Sequence, residues 1–224
     1  GWGVDVINRI AAAVASWPSA SVVVPPVSTA AVAAYSLGGL WLCLWRRRWR
    51  LFGLVPMLGA LLTVPFADPP DILIDGDGQM MAVRSATGGL LYSSLKRGGF
   101  VRDAWAERAG SGLPARAFSD SDEADGLACD SLGCLWRGHG MPVALVRRAE
   151  ALAEDCAAAS VVVASVPLRH DCPSARLTID RIALWREGPH AIWLDDLRVV
   201  SVRAWRGERP WVIKPEEKKR RITE

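Results

Sequence analysis

The chain has 224 residues, half of them hydrophobic, and a formal net charge of +3. This length allows one or two domains with a core of ordinary size. Residues 1–67 hold five arginines against one aspartate, whereas residues 68–213 hold more acidic than basic side chains. A protein that grips nucleic acid by many phosphates shows a basic excess, so the larger part of the chain does not have the charge of a DNA clamp.

The first predicted element is a helix over residues 4–17, with Asn8 and Arg9 on a polar side and Pro18 at its end. The pattern suits either a helix that lies on a membrane surface or the end of a membrane span. The chain begins at Gly1 and shows no signal-peptide pattern, so we expect a fragment of a longer protein.

Two uncharged runs follow, residues 28–45 and residues 51–67. A helix needs about 20 residues to cross a bilayer, with a lower limit near 17, so both runs qualify. Gly38, Gly39 and Pro56 are poor choices for a soluble helix and are better tolerated in membrane helices. The sequence therefore predicts a membrane helical hairpin, with a pair of buried core helices as the alternative.

Four arginines separate the two runs, and short arginine-rich loops stay on the cytoplasmic side of a membrane. We expect them to orient the hairpin, which would place residues from 68 onwards on the periplasmic or external side of the membrane. The membrane-orienting residues are Arg46, Arg47, Arg48 and Arg50.

The pattern changes at residue 68 from helical to alternating, and successive prolines mark the boundary. The order of predicted strands and helices indicates an α/β or α+β sandwich over residues 68–213. A polar stretch, residues 111–126, is predicted to be a mobile surface loop, and the charged tail 214–224 to be disordered. Strands are predicted in 71–75, 79–85, 88–94, 127–148 (three), 160–167, 176–180, 190–195 and 198–205, and helices in 100–110, 147–159 and 180–188.

Four cysteines fall in the predicted soluble domain, an even number. Cys129 and Cys134 flank a short turn, where their Cβ atoms can reach the separation of about 4 Å that a disulfide needs. A second bridge between Cys156 and Cys172 is the weaker expectation. Reduced thiols and a zinc site with nearby histidines remain alternatives, although CxxxxC matches structural zinc motifs poorly.

Catalytic motifs are hard to find, because no HxH, HExxH, GxSxG or P-loop pattern occurs. Asp75 and Asp77 stand at the "IDGDG" turn, where carboxylates can serve a metal or act as a general base. Turn chemistry explains them at least as well. The sequence therefore predicts no catalytic residue, no metal ligand and no cofactor.

Several segments together resemble the C-terminal end of the ComEC family of competence membrane proteins. They are "WRRRWRL", "PDILIDGDGQMMAVR", "RGGFVRDAW", "CDSLGC", "EDCAAASVVVA" and "IDRIALWREGPHAIWL". In that family a polytopic channel precedes a metallo-β-lactamase-like domain, a sandwich of two sheets. The resemblance implies that residues 1–67 end the membrane region and that residues 68–213 form such a domain.

The chain departs from the family's metal-dependent members at the HxHxDH motif that holds two divalent cations. The stretch where this motif should fall reads "LKRGGFVRDAWAERAG", and no histidine occurs before His139. The resemblance therefore implies a degenerate, metal-free domain.

The expected function is a part in DNA uptake across the inner membrane, with the external domain non-catalytic and structural or accessory. The expected partners are single-stranded DNA in the parent channel, the lipid bilayer and other competence proteins. One alternative is a membrane-anchored hydrolase built on Asp75, Asp77 and His139. Another is a membrane-tethered module that binds a protein partner through residues 111–126 or the tail.

Overall fold

The computed structural model describes residues 1–17, 27–66, 68–110, 113–138, 140–168, 172–207, 209 and 211. Contacts within the chain divide it into two units. The first, here called the helical unit, comprises Gly1–Ala67 with Glu107–Gly112, and the second, the two-sheet domain, comprises Asp68–Ala106 with Leu113–Glu224.

The helical unit contains three α-helices and two short 3₁₀ segments. The α-helices are α1 (Trp2–Ala15), α2 (Thr29–Leu44) and α3 (Leu54–Leu62), and the 3₁₀ segments are Arg48–Gly53 and Val64–Phe66. Helix α2 begins after Ser28, whose hydroxyl accepts a hydrogen bond of 3.2 Å from the N–H of Ala31. Such a cap satisfies one of the unpaired N–H groups at a helix start.

The predicted membrane helical hairpin is wrong. Within the described residues, no helix combines the length and the apolar character that crossing a membrane requires. The second uncharged run is divided among a 3₁₀ segment, the nine-residue α3 and a further 3₁₀ turn. Proline cannot supply the N–H that continues a helix, and Pro65 stands just beyond the end of α3. The described residues therefore do not support the description of this chain as membrane-spanning.

Among the described residues, the arginine cluster therefore does not lie between two membrane-spanning helices. Its four members, Arg46, Arg47, Arg48 and Arg50, are all exposed, and the last two belong to the 3₁₀ segment that leads into α3.

Two glycines allow α2 to make close contact with the segment that leads into α3. Gly38 and Gly53 are both buried, and a Cβ atom added to Gly38 would lie 2.5 Å from the carbonyl oxygen of Gly53. It would also lie 2.7 Å from Cγ of Met57. The two segments are therefore in backbone contact at a point where a side chain has no room.

The two-sheet domain has an α+β fold with two mixed sheets. The first sheet has the order β11-β10-β1-β2-β3-β4 and is antiparallel except for the β3–β4 pair. Its strands are β1 (Ile72–Ile74), β2 (Met81–Arg84), β3 (Leu90–Tyr92), β4 (Arg116–Ala117), β10 (His190–Trp193) and β11 (Arg198–Ser201).

The second sheet has the order β5-β6-β7-β8-β9, with antiparallel pairing among the first three strands and parallel pairing among the last three. Its strands are β5 (Leu127–Cys129), β6 (Gly133–Gly138), β7 (Met141–Val146), β8 (Val161–Ala164) and β9 (Leu177–Ile179). The domain also contains helices α4 (Gly99–Ala109), α5 (Leu152–Ala158), α6 (Arg181–Glu187) and α7 (Val202–Arg206), of which α4 ends in the helical unit.

Alternation along the strands builds the core between the sheets. Leu145 on β7 belongs to the same buried cluster as Ile72 and Val83 of the first sheet, whereas its neighbours Ala144 and Val146 belong to a second cluster on the other face of β7. Successive strand residues point to opposite faces, so both faces of β7 are covered.

The polar stretch that was predicted to be a mobile loop is largely ordered structure. Residues 113–126 contain β4 and two 3₁₀ turns, and Asp125 is buried. Parallel pairing of Leu91 with Arg116 joins this stretch to the first sheet. The predicted disordered tail, 214–224, lies outside the described residues.

Candidate anion-binding site

Three parallel strands end at one edge of the second sheet. Arg147 directly follows β7, Ser165 directly follows β8, and Arg181 follows β9 after the single residue Asp180. Because the pairs β7–β8 and β8–β9 are parallel, their carboxyl ends lie at the same edge. In open α/β sheets this edge is the usual place for a ligand.

Residues of the first sheet form the facing wall of a cavity of about 180 Å³ at this edge. They come from the turn between β1 and β2, from β2 itself and from the segment between β3 and α4. The lining consists of Asp77, Gly78, Gln79, Met81, Ser93, Arg97, Arg147, Ser165 and Arg181.

Gly78 brings the β1–β2 turn close to the second sheet. Its φ of +69° lies in the left-handed region that glycine adopts without strain. A Cβ atom at this position would stand 3.3 Å from Cα of Ser165 and 3.0 Å from Cδ1 of Leu184. The turn therefore fits against the end of β8 because residue 78 has no side chain.

Two of the arginines are held by neutral oxygen atoms. The Arg97 guanidinium donates to Oε1 of Gln79 at 3.2 Å, and that of Arg147 donates to the carbonyl oxygen of Ser93 at 3.4 Å. A guanidinium has five N–H donors and stays protonated in proteins. These bonds therefore orient the two groups without neutralising their charge.

The two aspartates that the sequence singled out are engaged in the turn itself. Oδ1 of Asp75 accepts a hydrogen bond of 2.7 Å from the N–H of Gly76, and Oδ1 of Asp77 accepts one of 2.8 Å from the N–H of Gln79. The bond from Gln79, two residues after Asp77, is the one that aspartate commonly makes in turns. Of the two, only Asp77 lines the cavity.

The third member of the hydrolase alternative, His139, lies outside the described residues, as does His170. The remaining histidine, His190, is buried on β10, and its Nδ1 lies 2.8 Å from the carbonyl oxygen of Gly188.

The cavity does not fit the divalent cations that the metal-dependent members of the resembled family hold. Such cations bind imidazole nitrogen and carboxylate oxygen, whereas this lining offers three guanidinium groups and a single carboxylate. Guanidinium groups only donate hydrogen bonds and carry the same sign of charge as a metal ion. In the part of the chain that the structure describes, no group of three His, Cys, Asp or Glu residues is arranged to hold a metal.

The four cysteines of the two-sheet domain form two disulfides in the structure. Cys129 and Cys134 face each other across the β5–β6 pair, with Cα atoms 4.0 Å apart. Cys156 on α5 is joined to Cys172, which precedes β9, with Cα atoms 5.1 Å apart. Cys43 in α2 is a free, exposed thiol.

A second polar cluster, around Asp125, has a structural role. Burial alone raises the pKa of Asp125, but hydrogen bonds from the Ser85 hydroxyl at 2.5 Å and the Asp122 N–H at 3.0 Å act in the opposite direction. Together with the positive charge of Arg116, they lower the pKa of Asp125 below its ordinary value. The carboxylate thereby anchors residues 113–126 to the turn that follows β2.

Sequence reasoning missed Arg97, Arg147 and Arg181. These arginines are not metal ligands and belong to none of the catalytic motifs considered above. The available signal was their position. Arg181 directly follows the strand predicted over 176–180, Arg147 lies where a predicted strand passes into a predicted helix, and Arg97 precedes the helix predicted over 100–110. Such positions gather at one edge when the strands are parallel.

The chain matches no model of a known protein family, no curated protein and no solved structure in the comparisons made. These comparisons therefore add no support to the ComEC resemblance or to the role in competence that it implies.

Proposed function

We propose that the two-sheet domain is a non-catalytic accessory domain of a protein that takes part in DNA uptake. The association with DNA uptake comes from the sequence resemblance alone. The single observation that supports the non-catalytic role is the lining of the cavity by three guanidinium groups. One of them, Arg97, belongs to the stretch in which the metal-binding motif of the resembled hydrolases should fall.

The chemistry of such a lining differs from that of a metallohydrolase. A catalytic metal lowers the pKa of a bound water and so supplies hydroxide near neutral pH. Arg97, Arg147 and Arg181 cannot lower it in this way, because they have no basic lone pair with which to hold a metal. They can instead stabilise negative charge that a ligand brings.

The disulfides support a location outside the cytoplasm. Disulfides form and persist in oxidising compartments and are rare in the cytosol. Cys129–Cys134 and Cys156–Cys172 both lie in the two-sheet domain. We propose that this domain faces the periplasm or the exterior.

Metal analysis and a nuclease assay of the purified full chain test the non-catalytic role. We expect no stoichiometric Zn²⁺, Mn²⁺ or Mg²⁺, and no cleavage of single- or double-stranded DNA above the blank. Metal-dependent cleavage that Asp77→Asn abolishes and Asp75→Asn leaves intact would contradict the proposal. Asp75→Asn is the matched control because Asp75 belongs to the same turn but does not line the cavity.

The DNA-uptake setting needs its own test in the source organism. Replacing the natural gene with one that lacks the codons for residues 68–213 should lower DNA uptake, measured with labelled DNA, while growth is unchanged. Uptake equal to that of the parent strain would contradict the proposed role in DNA uptake.

A further inference from the structure

We infer that the arginine-lined cavity binds a phosphoryl group in the form of a phosphate monoester or inorganic phosphate. This deepens the proposed function and rests on it in one respect, namely that the cavity is not a metal centre. It does not depend on the role in DNA uptake.

The arrangement of donors supports this ligand. Arg147 and Arg181 approach from the carboxyl ends of parallel strands in the second sheet, and Arg97 approaches from the segment that follows β3 in the first. A ligand between the two walls would therefore be contacted from opposite sides. Guanidinium groups bind phosphate oxygens through paired, charge-assisted hydrogen bonds.

Two serine hydroxyls complete the lining. Ser93 Oγ accepts a hydrogen bond of 3.0 Å from the N–H of Met81, and its contact with the carbonyl oxygen of Gln79 is long, at 3.5 Å. Its proton is therefore weakly held and can turn towards a ligand oxygen. Ser165 lies at the end of β8, where its hydroxyl is within 3.2 Å of the carbonyl oxygen of Val146.

The charge of the cavity matches a monoester better than an internal phosphodiester. Three guanidinium groups stand against the one carboxylate of Asp77. A phosphate monoester carries a charge of about −1.5 to −2 near neutral pH, whereas a diester carries about −1. The monoester therefore gains more from this surplus of positive charge.

The size of the cavity points the same way. Pockets for drug-sized ligands range from about 300 to 1,000 Å³. A volume of about 180 Å³ admits a phosphoryl group with a few waters but leaves a nucleoside outside. Residues 68–213 are otherwise net acidic, so they lack the broad basic surface that tracking a strand by many phosphates would need. Capture of one phosphoryl group needs only this local cluster.

Calorimetric titration of the full chain in chloride buffer tests the inference. One arm uses inorganic phosphate, and two further arms use the same single-stranded oligonucleotide with and without a 5′-terminal phosphate. We expect saturable binding of phosphate. If the phosphoryl group is supplied by a strand end, the 5′-phosphorylated oligonucleotide should bind and the 5′-hydroxyl form should not.

Matched substitutions locate the site. Arg147→Gln and Arg97→Gln should each weaken binding at least about tenfold, since each removes a charge-assisted bond. Arg148→Gln and Lys96→Gln remove the same charge from exposed neighbours that do not line the cavity, and should change affinity less than about twofold. Asp77→Asn should strengthen binding, because it removes the one negative charge in the lining.

The outcomes separate this inference from the proposed function. Absence of binding in the phosphate and 5′-phosphate arms, without metal-dependent cleavage, would overturn the phosphoryl site and leave the non-catalytic role standing. Equal weakening by Arg147→Gln and Arg148→Gln, or equal binding of the two oligonucleotides with no binding of phosphate, would also overturn it. Metal-dependent cleavage would overturn the proposed function instead.

Discussion

The helical unit and the two-sheet domain bury very different residues. In the α-helices of the helical unit, the buried positions are Ala31, Gly38 and Ala60, whereas larger side chains such as Leu62 are exposed. In the two-sheet domain many large apolar side chains of the strands, for example Leu145, are almost completely buried. An uninterrupted apolar run therefore does not by itself determine an environment. Alternating apolar positions on paired strands do determine the environment of their side chains, because each apolar face of a sheet must pack against another part of the protein.

The largest expected difference between the two units is the loss of stability when a leucine is replaced by alanine. Leu145→Ala removes a side chain that is 1% exposed, and it should lower the free energy of unfolding by about 2–5 kcal/mol. Leu62→Ala, at a side chain that is 72% exposed, should change it by about 0.5 kcal/mol or less. Chemical denaturation of both variants measures the contrast, and equal losses would erase it.

Cross-links should stabilise only the unit that contains them. Replacing Cys156 and Cys172 together by serine opens a loop with a sequence separation of 16 and should cost about 3 kcal/mol. The same change at Cys129 and Cys134, with a separation of 5, should cost about 2 kcal/mol. Hydrogen exchange resolves the units, and we expect faster exchange in β7 and β8 with α2 unchanged. Faster exchange in α2 would show that the two units are coupled.

Glycine contact should be the sensitive point of the helical unit. Gly38→Ala places a methyl group against the carbonyl oxygen of Gly53 and should destabilise the α2–α3 contact by about 1–3 kcal/mol. Gly39→Ala is the matched control, because a Cβ there meets no atom within 4 Å. It should stabilise α2 by about 0.5–1 kcal/mol. Amide hydrogen exchange in α2 and α3 measures both changes. The same sign for both variants would be evidence against the glycine contact.

Acid should act on the two-sheet domain through Asp125. Its pKa is lowered in the folded state, so its stabilising contribution is fully present above the unfolded-state pKa of about 3.9. The contribution is lost as the pH falls through the lower folded-state pKa. Asp125→Asn should therefore be about 1–3 kcal/mol less stable than the parent at neutral pH, and this difference should shrink in acid. Urea denaturation at a series of pH values measures it. A difference that is constant down to the acid limit would show that the charge of Asp125 is not its source.

Local signals in the sequence predicted many elements of the two-sheet domain. The strands predicted over 71–75 and 79–85 flank the turn in "IDGDG" and contain β1 and β2, and the strand predicted over 160–167 contains β8. The helix predicted over 100–110 corresponds to α4, which ends at Ala109, and Gly110 with a φ of +65° follows it. In each case neighbouring residues along the chain carry the whole signal.

Features that depend on contacts between distant segments were missed. The polar composition of residues 113–126 concealed the burial of Asp125, which arises from its bond with Ser85 forty residues earlier. The cavity joins segments as far apart as Asp77 and Arg181, and no local pattern relates them. The membrane prediction failed for a local reason. Pro65 and the 3₁₀ segment at Arg48–Gly53 interrupt an otherwise apolar run.

The edges of the two sheets have a consequence for self-association. In the described part of the domain, the first sheet ends at β4, with two residues, and β11, with four, and the second ends at β5 and β9, with three each. A long, flat edge offers unpaired backbone groups to a strand of another molecule. Such short edges offer few of these groups, and the Cys129–Cys134 disulfide pins β5 to its neighbour. At high concentration, other copies of the chain would find little at these edges on which to extend either sheet.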